Sequence, residues 1–382
     1  MNTPLSSENS ANKSPRILVI RPDRLGDVIL STPVLIAIKR HYSHSHLTFL
    51  VKENVTPLLK GLPQIDAVLI YDPEGRHAGL KGFFRFCHEI RKGHFDISIT
   101  LQSQWKITLA LFLARIPVRV GPLSKIHSYL FTNRGLRQRR SQVEMHEADY
   151  NLQLLEKLGI KTSSRISTQV ALSPSTHQAA REWLQQQGWT SNGKKWVFIH
   201  PGMGGSALNW PETYYIELIK GLLNKGCGVV VTAGSGEADL SRRMSEGVLA
   251  GLATSKQNPG ATSTRKGAVD GLLFYRASSE QGVDFLAGLF SHADLVVAPS
   301  TGPLHVAVAL DKPVLSFYPA IRVQSPKRWG PYRSDVARTT VLVPTAECGK
   351  EYTCLGKDCP HHPCMESISV EQALAKAIEL LT

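Results

Sequence analysis

The stretch Arg21–Leu35 reads RPDRLGDVILSTPVL. The apolar run ILVI (Ile17–Ile20) precedes it, and a second apolar run fills its own second half. A buried strand followed by a helix accounts for both runs. The loop between them holds two arginines, two aspartates and Gly26. Strand–loop–helix at the start of a chain is the opening unit of a parallel α/β sheet. Gly26 permits a tight turn and leaves space above it. Asp27 then falls at a helix N-terminus, where two readings compete. It is an N-cap, a position that Asp fills well, or a carboxylate presented to a ligand as a general base.

Outward from this stretch the pattern repeats. HLTFLV, AVLIYD and FDISITL read as strands, with DVILSTPVLIAIKRHY, ENVTPLLKGL and GFFRFCHEIRKG as helices. The period returns at VRVG. EMHEADYNLQLLEKLGI (Glu144–Ile160) closes a first domain, and KTSSRISTQVALSPST reads as a linker with one strand. A second series starts at KKWVFIH and continues with PETYYIELIKGLLNKG, GVVVTAG, GVDFLAGLFSHA, DLVVAPS, TGPLHVAVAL and PVLSFY. The last helix, SISVEQALAKAIELL, has Ser369 and Gln372 in capping-box spacing. The polar, basic run from Ala253 to Gly271 reads as a mobile surface insertion. The division expected is a disordered leader over 1–14, domains over 15–165 and 166–350, and a Cys-rich tail with the last helix over 351–382.

The chain has 382 residues, with 44 Lys and Arg against 31 Asp and Glu, a net charge of +13. That balance favours acidic partners: a nucleotide, a phosphorylated glycan, nucleic acid or an anionic membrane surface. No aromatic–basic platform or nucleic-acid motif accompanies it, so no nucleic-acid partner is expected. The first fifteen residues lack the apolar segment of a signal peptide, and no run reaches the roughly 18 residues of a membrane span. A cytoplasmic protein is expected, with peripheral contact at the inner membrane face as a further expectation. Cys87 and Cys227 read as apolar fillers. Cys348, Cys354, Cys359 and Cys364 cluster with His361 and His362. Plain thiols, a zinc site and disulfides all remain open there, although tight Cys-x-x-Cys pairs are missing.

Three loops at carboxyl ends of predicted strands carry the chemistry, since open α/β sheets bind ligands there. The first holds Gly26 and Asp27. The second is HPGMGGSALNWP (His200–Pro211), whose glycines expose backbone N–H groups suited to phosphate. Gly202, Gly204 and Ala207 also fit G-x-G-x-x-A, but Asn209, Trp210 and Pro211 delay the helix too long for a dinucleotide fold. The third is PSTGPLHVAVAL (Pro299–Leu310), which presents a helix N-terminus to an anion. A fourth feature, NRGLRQRR (Asn133–Arg140), packs four arginines into seven residues. It reads as a solvated basic loop or as an acceptor-side contact for phosphate or carboxylate. Arg24, Arg137, Arg139 and Arg140 are the acceptor candidates.

RLGDVILSTPVL, HEADYNLQLLEKLGI, HPGMGGSALNWP, VVVTAGSGEAD and ADLVVAPSTGPLHVAVAL follow one another along nearly the whole chain. In that order they resemble glycosyltransferase family 9, the ADP-heptose:lipopolysaccharide heptosyltransferases. The Cys-rich tail before SISVEQAL is also similar. The resemblance implies the GT-B fold, two doubly wound Rossmann-like domains facing each other across a cleft. It implies a nucleotide-sugar donor, ADP-heptose, and a glycolipid acceptor. Asp27 matches the family's proposed general base. Thr301, Gly302 and His305, beside Ser300, match the motif that holds the donor diphosphate. Gly204, Gly205 and Ser206 lie in the loop over the donor phosphates, and Glu237 matches an acid near the ribose. Gly26 would clear room for the sugar. Two departures stand out: Ser300 replaces an Asp common in the family, and Leu208 replaces a Lys or Arg.

No Asp-x-Asp pair occurs in the chain, so no cofactor or carboxylate-held metal is expected at the diphosphate. Charge developing there would fall to the helix N-terminus, the glycine loop, and Arg322 or Lys327. The rival functions are a sugar-nucleotide epimerase on the same fold and a non-catalytic binder.

Overall fold

The computed structural model describes residues 14–190, 193–205, 207–254, 269–278, 281–346, 348 and 354–382. Most of the expected leader and insertion lie outside these residues. The chain divides into two compact units.

The first unit comprises Met1–Asp23, Ser31–Gln138 and Ala148–Ile166. Its strands are β1 (Arg16–Ile20), β2 (His46–Val51), β3 (Ala67–Ile70), β4 (Ile97–Thr100), β5 (Val118–Pro122) and β6 (Arg134–Leu136). They pair in parallel in the order β3-β2-β1-β4-β5-β6. Ile17 stands beside Leu47 on one flank and Ile97 on the other. A central strand covered on both faces must be apolar throughout, and Ile17–Ile20 are fully buried. Helices α2 (Thr32–His41), α3 (Gly79–Lys92), α4 (Trp105–Leu113) and α5 (Ile126–Phe131) connect the strands. Arg21 is buried just past β1, where its Nη1 donates to the carbonyl of Leu101 at 3.4 Å and to Asn151 Oδ1 at 3.5 Å.

The helix expected over Asp27–Tyr42 is two helices. α1 (Leu25–Ile29) ends before Ser31, and α2 starts at Thr32 with Pro33 in its first turn. Proline lacks the N–H that a continuous helix needs and is at home only at a helix start. ENVTPLLKGL forms a 3₁₀ turn, Glu53–Leu58, rather than an α-helix. The closing helix of this region is α6 (Glu147–Gln153), continued by a 3₁₀ turn that stops at Gly159, φ +77°.

The second unit comprises Arg24–Leu30, Arg139–Glu147 and Ser167–Thr382. The stretch Arg21–Leu35 is therefore split, and α1 packs with the second unit. No strand forms in the expected linker. Helix α7 (Pro174–Gln186) begins inside it, capped by Ser173, whose Oγ accepts from the Thr176 N–H at 3.0 Å. Strands β7 (Trp196–Ile199), β8 (Gly228–Ala233), β9 (Leu272–Arg276), β10 (Leu295–Pro299), β11 (Val314–Phe317) and β12 (Thr339–Leu342) form a second parallel sheet. Its order is β12-β11-β10-β7-β8-β9. Helices α8 (Glu212–Asn224), α9 (Ala238–Thr254), α10 (Val283–Ser291), α11 (Gly302–Ala309), α12 (Pro326–Trp329) and α13 (Val370–Leu381) complete it. Met365, Ile368 and Ala373 join the core around β7, β8 and α8, so the tail is part of this unit.

Strand order decides where a ligand can sit. The connections out of β7 and β10 run in opposite directions, which leaves a crevice at the carboxyl ends of these neighbouring strands. The loops leaving those ends are His200–Pro211 and Ser300–Thr301. Two units of this type in one chain constitute the GT-B fold.

Candidate active site

The loop after β7 is closed at its base by Asn209. Its Nδ2 donates to the Pro201 carbonyl at 2.7 Å, while its Oδ1 accepts from Trp210 N–H at 2.8 Å and Tyr215 O–H at 3.2 Å. Trp210 anchors the closure: it is buried, stacks on Phe317 at 4.2 Å, and donates from Nε1 to the Ile368 carbonyl at 2.9 Å. The Asn-Trp-Pro segment thus clasps the loop as well as delaying the helix. At the tip, Gly204 and Gly205 have φ of +57° and +72°. L-residues with a Cβ reach that conformation only at a cost of about 1–2 kcal/mol each, so the glycines are there for the backbone. Ser206 lies outside the described residues.

Glu237 stands beside this loop, in the turn after β8. Its Oε2 accepts from the Gly234 N–H at 2.8 Å and lies 3.6 Å from His200 Nε2. A Cβ at Gly202 would overlap the Glu237 carboxylate, so a side chain there would push Glu237 from its present position. His200 is buried, and its Nδ1 pairs with Thr232 Oγ1 at 3.0 Å. Burial holds its pKa below the ordinary histidine value, with Glu237 acting against that shift. His200 and Thr232 were not among the sequence candidates. The available signal was a histidine at the immediate end of the apolar strand VFIH.

Thr301 occupies the N-cap of α11, but its hydroxyl makes no capping bond to that helix. Ser300 bonds to Tyr318, whose hydroxyl donates to the Trp329 carbonyl at 2.7 Å. Burial pushes the Tyr318 phenol well up, and the Ser300 bond partly opposes this. Gly302 does not adopt a positive φ. A Cβ there would instead lie 3.0–3.2 Å from the Leu25 side chain of α1.

That contact has a counterpart on α1. A Cβ at Gly26 would lie 2.8 Å from His305 Cδ2 and 3.7 Å from the Gly302 Cα. Room expected for a sugar at Gly26 is taken by the His305 ring. Arg24, exposed, is the N-cap of α1, and Asp27 is the third helical residue, so Asp27 is not the cap. The turn with Asp27 and the N-terminus of α11 are therefore packed glycine to glycine inside one compact unit. A helix N-terminus and a carboxylate-bearing turn at such proximity suit a reaction that expels a phosphate and takes up a proton.

His305 is 4% exposed and its Nδ1 has no hydrogen-bond partner among the described residues. Burial, assisted by neighbouring His146, lowers its pKa from 6.5 to about 3. It is a neutral imidazole at physiological pH. Between pH 6.5 and 3 the unfolded chain binds a proton here that the fold refuses, so stability falls as pH falls through that window. From pH 7 to pH 5 this one group should remove about 2 kcal/mol. Urea unfolding at the two pH values should show His305→Gln losing less stability than the native chain by that amount. An identical loss in both proteins would contradict the assignment.

The arginine candidates separate. Arg137, exposed, belongs to the first unit, whereas Arg139 and Arg140 pack with the second. Arg140 pairs with Glu147, whose side chain is 2% exposed and whose other oxygen lies 3.4 Å from Arg328. Neutralising Arg140 would thus weaken the pairing of a buried carboxylate, a structural effect beyond any ligand contact. In the tail, Cys348, Cys354, Cys359 and Cys364 line one cavity with Leu208, His361 and His362. Cys354, Cys359 and Cys364 are free thiols, and burial raises the Cys364 pKa. Among the described residues no three such side chains are arranged to hold a metal ion.

Comparison with known proteins matches this architecture. The model of glycosyltransferase family 9 (heptosyltransferase) matches residues 83–258 and 278–360. A presumptive glycosyltransferase of Haemophilus influenzae is 32% identical over 94% of this chain and 95% of its own length. Among solved structures, a family 9 glycosyl transferase from Veillonella parvula superposes with a TM-score of 0.79 at 22% identity, covering 97% of this chain and 98% of that one. The ADP-heptose lps heptosyltransferase II of E. coli superposes with a TM-score of 0.72 at 20% identity, over 96% of this chain and 98% of that one. With the family model covering most of the sequence, the chain belongs to glycosyltransferase family 9 and is a glycosyltransferase.

Proposed function

We propose that the enzyme transfers heptose from ADP-heptose to a hydroxyl of a lipopolysaccharide-type glycolipid, with inversion at the anomeric carbon. The observation that carries this reading is the packing of the Gly26–Asp27 turn against the N-terminus of α11. The acceptor oxygen attacks the anomeric carbon and forms the new C–O bond. The bond from that carbon to the diphosphate oxygen breaks, and ADP leaves with the electron pair. Asp27 takes the acceptor proton and stabilises the positive charge of an oxocarbenium-like transition state. The diphosphate charge is met by the N–H groups and dipole of α11, with Thr301 adding a hydroxyl, and by the Gly204–Gly205 loop. Glu237 is held by Gly234 and flanked by His200, and in this reading its carboxylate accepts from the hydroxyls of the donor's ribose.

The support for heptose and ADP is the family description together with the E. coli enzyme named above. The Arg24, Arg137 and Arg139 side chains are proposed for the acceptor's anionic groups. Peripheral association with the cytoplasmic face of the membrane would follow from a lipid-borne acceptor. No described helix is long and apolar enough to cross a membrane.

The test is a donor panel. ADP-heptose, other ADP-sugars and UDP-sugars are each offered with a truncated glycolipid, and products are read by mass spectrometry. Addition of one heptose, with release of ADP, is expected from ADP-heptose alone. Conversion of a donor to its epimer without acceptor, or transfer only from a UDP-sugar, would overturn the reading.

A further inference from the structure

The helices that follow β3, β4 and β5 carry an apolar outer surface that the transfer chemistry does not use. Right-handed crossovers between parallel strands put α3, α4 and α5 on one face of the first sheet, with α4 packed against both neighbours. Leu80 and Phe84 lie one turn apart on α3 and are 78% and 63% exposed. Trp105 and Phe112 are exposed on α4, as are Ile126 and Leu130 on α5. Phe112 meets Phe131 of α5 at 5.4 Å between ring centroids, so the apolar surface runs on from α4 to α5. Single exposed apolar residues are ordinary, but a set spread over three adjacent helices marks an interaction surface.

Charge identifies the partner. Between Ile97 and Gln138 there is no Asp or Glu, and there are six Lys and Arg. On α3, Lys81 and Arg85 are exposed directly after Leu80 and Phe84. Lys106 stands 5.8 Å from the Trp105 ring, and exposed Lys125 precedes Ile126. The one acid on these helices, Glu89, is tied to Arg76 and His77 at 3.2 Å each. A second copy of the chain would bring this positive rim against itself. An anionic bilayer satisfies both features: cations reach lipid phosphates while aromatic and aliphatic side chains enter the headgroup–acyl boundary. The geometry points to the α3–α4–α5 face as a docking surface for an anionic lipid bilayer, lying on the interface without spanning it. A membrane-borne acceptor fits this surface, but the surface does not depend on it, and its test uses no substrate.

The experiment is sedimentation of the full chain with phosphatidylethanolamine vesicles, with and without phosphatidylglycerol. Binding should require phosphatidylglycerol and weaken when salt rises from about 0.05 to 0.5 M. The variant Phe84→Ser/Ile126→Ser/Leu130→Ser should bind roughly 10-fold more weakly or worse. A second variant, Lys81→Gln/Arg85→Gln/Lys125→Gln, removes exposed charges only and should also lose roughly 10-fold or more. Melting curves matching the native chain exclude misfolding in either. Native-strength binding by both variants overturns the assignment, as does failure of the native chain to bind. Self-association abolished by the serine variant, without vesicle binding, would give the face to a second copy instead.

Discussion

Replacing Asp27 with asparagine is expected to lower turnover by about 10²-fold or more, the scale of a positioned acid–base group. The fold should survive, because the cap of α1 is Arg24 and Asp27 sits inside the first turn. Loss of one acid there costs a helix about 0.3–1 kcal/mol through its dipole. Asparagine keeps the shape and removes only the charge and the basic oxygen. ADP affinity, measured by calorimetric titration, should stay near the native value. Turnover close to native in Asp27→Asn would remove Asp27 as the base of the reaction.

Gly302→Val should weaken ADP binding by about 100-fold or more, beyond the loss from Thr301→Val. Its Cβ alone would lie 3.0–3.2 Å from Leu25, and valine adds two methyls. Leu25 must then give way, and it sits two residues before Asp27 in the turn that belongs to the proposed site. Thr301→Val keeps the side-chain shape and removes a hydroxyl that does not cap its helix. If that hydroxyl bonds the diphosphate, its loss costs about 1.5–3 kcal/mol, roughly 10- to 150-fold in affinity. The Thr301→Val protein should melt close to the native temperature, since no cap is lost. Unaltered ADP affinity in both variants would remove this helix end from the donor site.

Much of the fold was legible because buried parallel strands are continuous apolar runs. RILVI, KKWVFIH and DLVVAPS could hardly be anything else, and the glycine-bearing loops after them follow from strand ends. Elements that bury little were harder to read. α7 buries only Ala180 and Leu184, so its polar, Gln-rich sequence carries little apolar signal despite the Ser173–Pro174 start. β9 and β12 lie at the sheet's edges and are only partly buried, so LLFYR and TTVL stand out less than the central apolar runs. Pro33 marked the break between α1 and α2, but the apolar runs on both sides suggested one helix.

Within the candidate site, the loops and their glycines were legible, while the partners were not. Nothing local to Gly26 says that His305 fills the space above it. Nor does the Gly-Ser-Gly-Glu turn announce that His200 flanks Glu237. Such contacts are set by the order of strands in the sheet, which brings distant segments together. Arg140 is a different case, because its neighbours in sequence are arginines that suggest a ligand contact and do not point to an ion pair. Its partner is the buried carboxylate of Glu147, seven residues on.

The most direct measurement is the anomeric configuration of the heptosylated product in the donor panel, read by ¹H NMR as the product forms. A single displacement, with Asp27 as base on the side of the sugar away from the diphosphate, predicts a configuration opposite to that of the ADP-heptose supplied. A product with the donor's own configuration would require a second displacement through another nucleophile and would contradict the account.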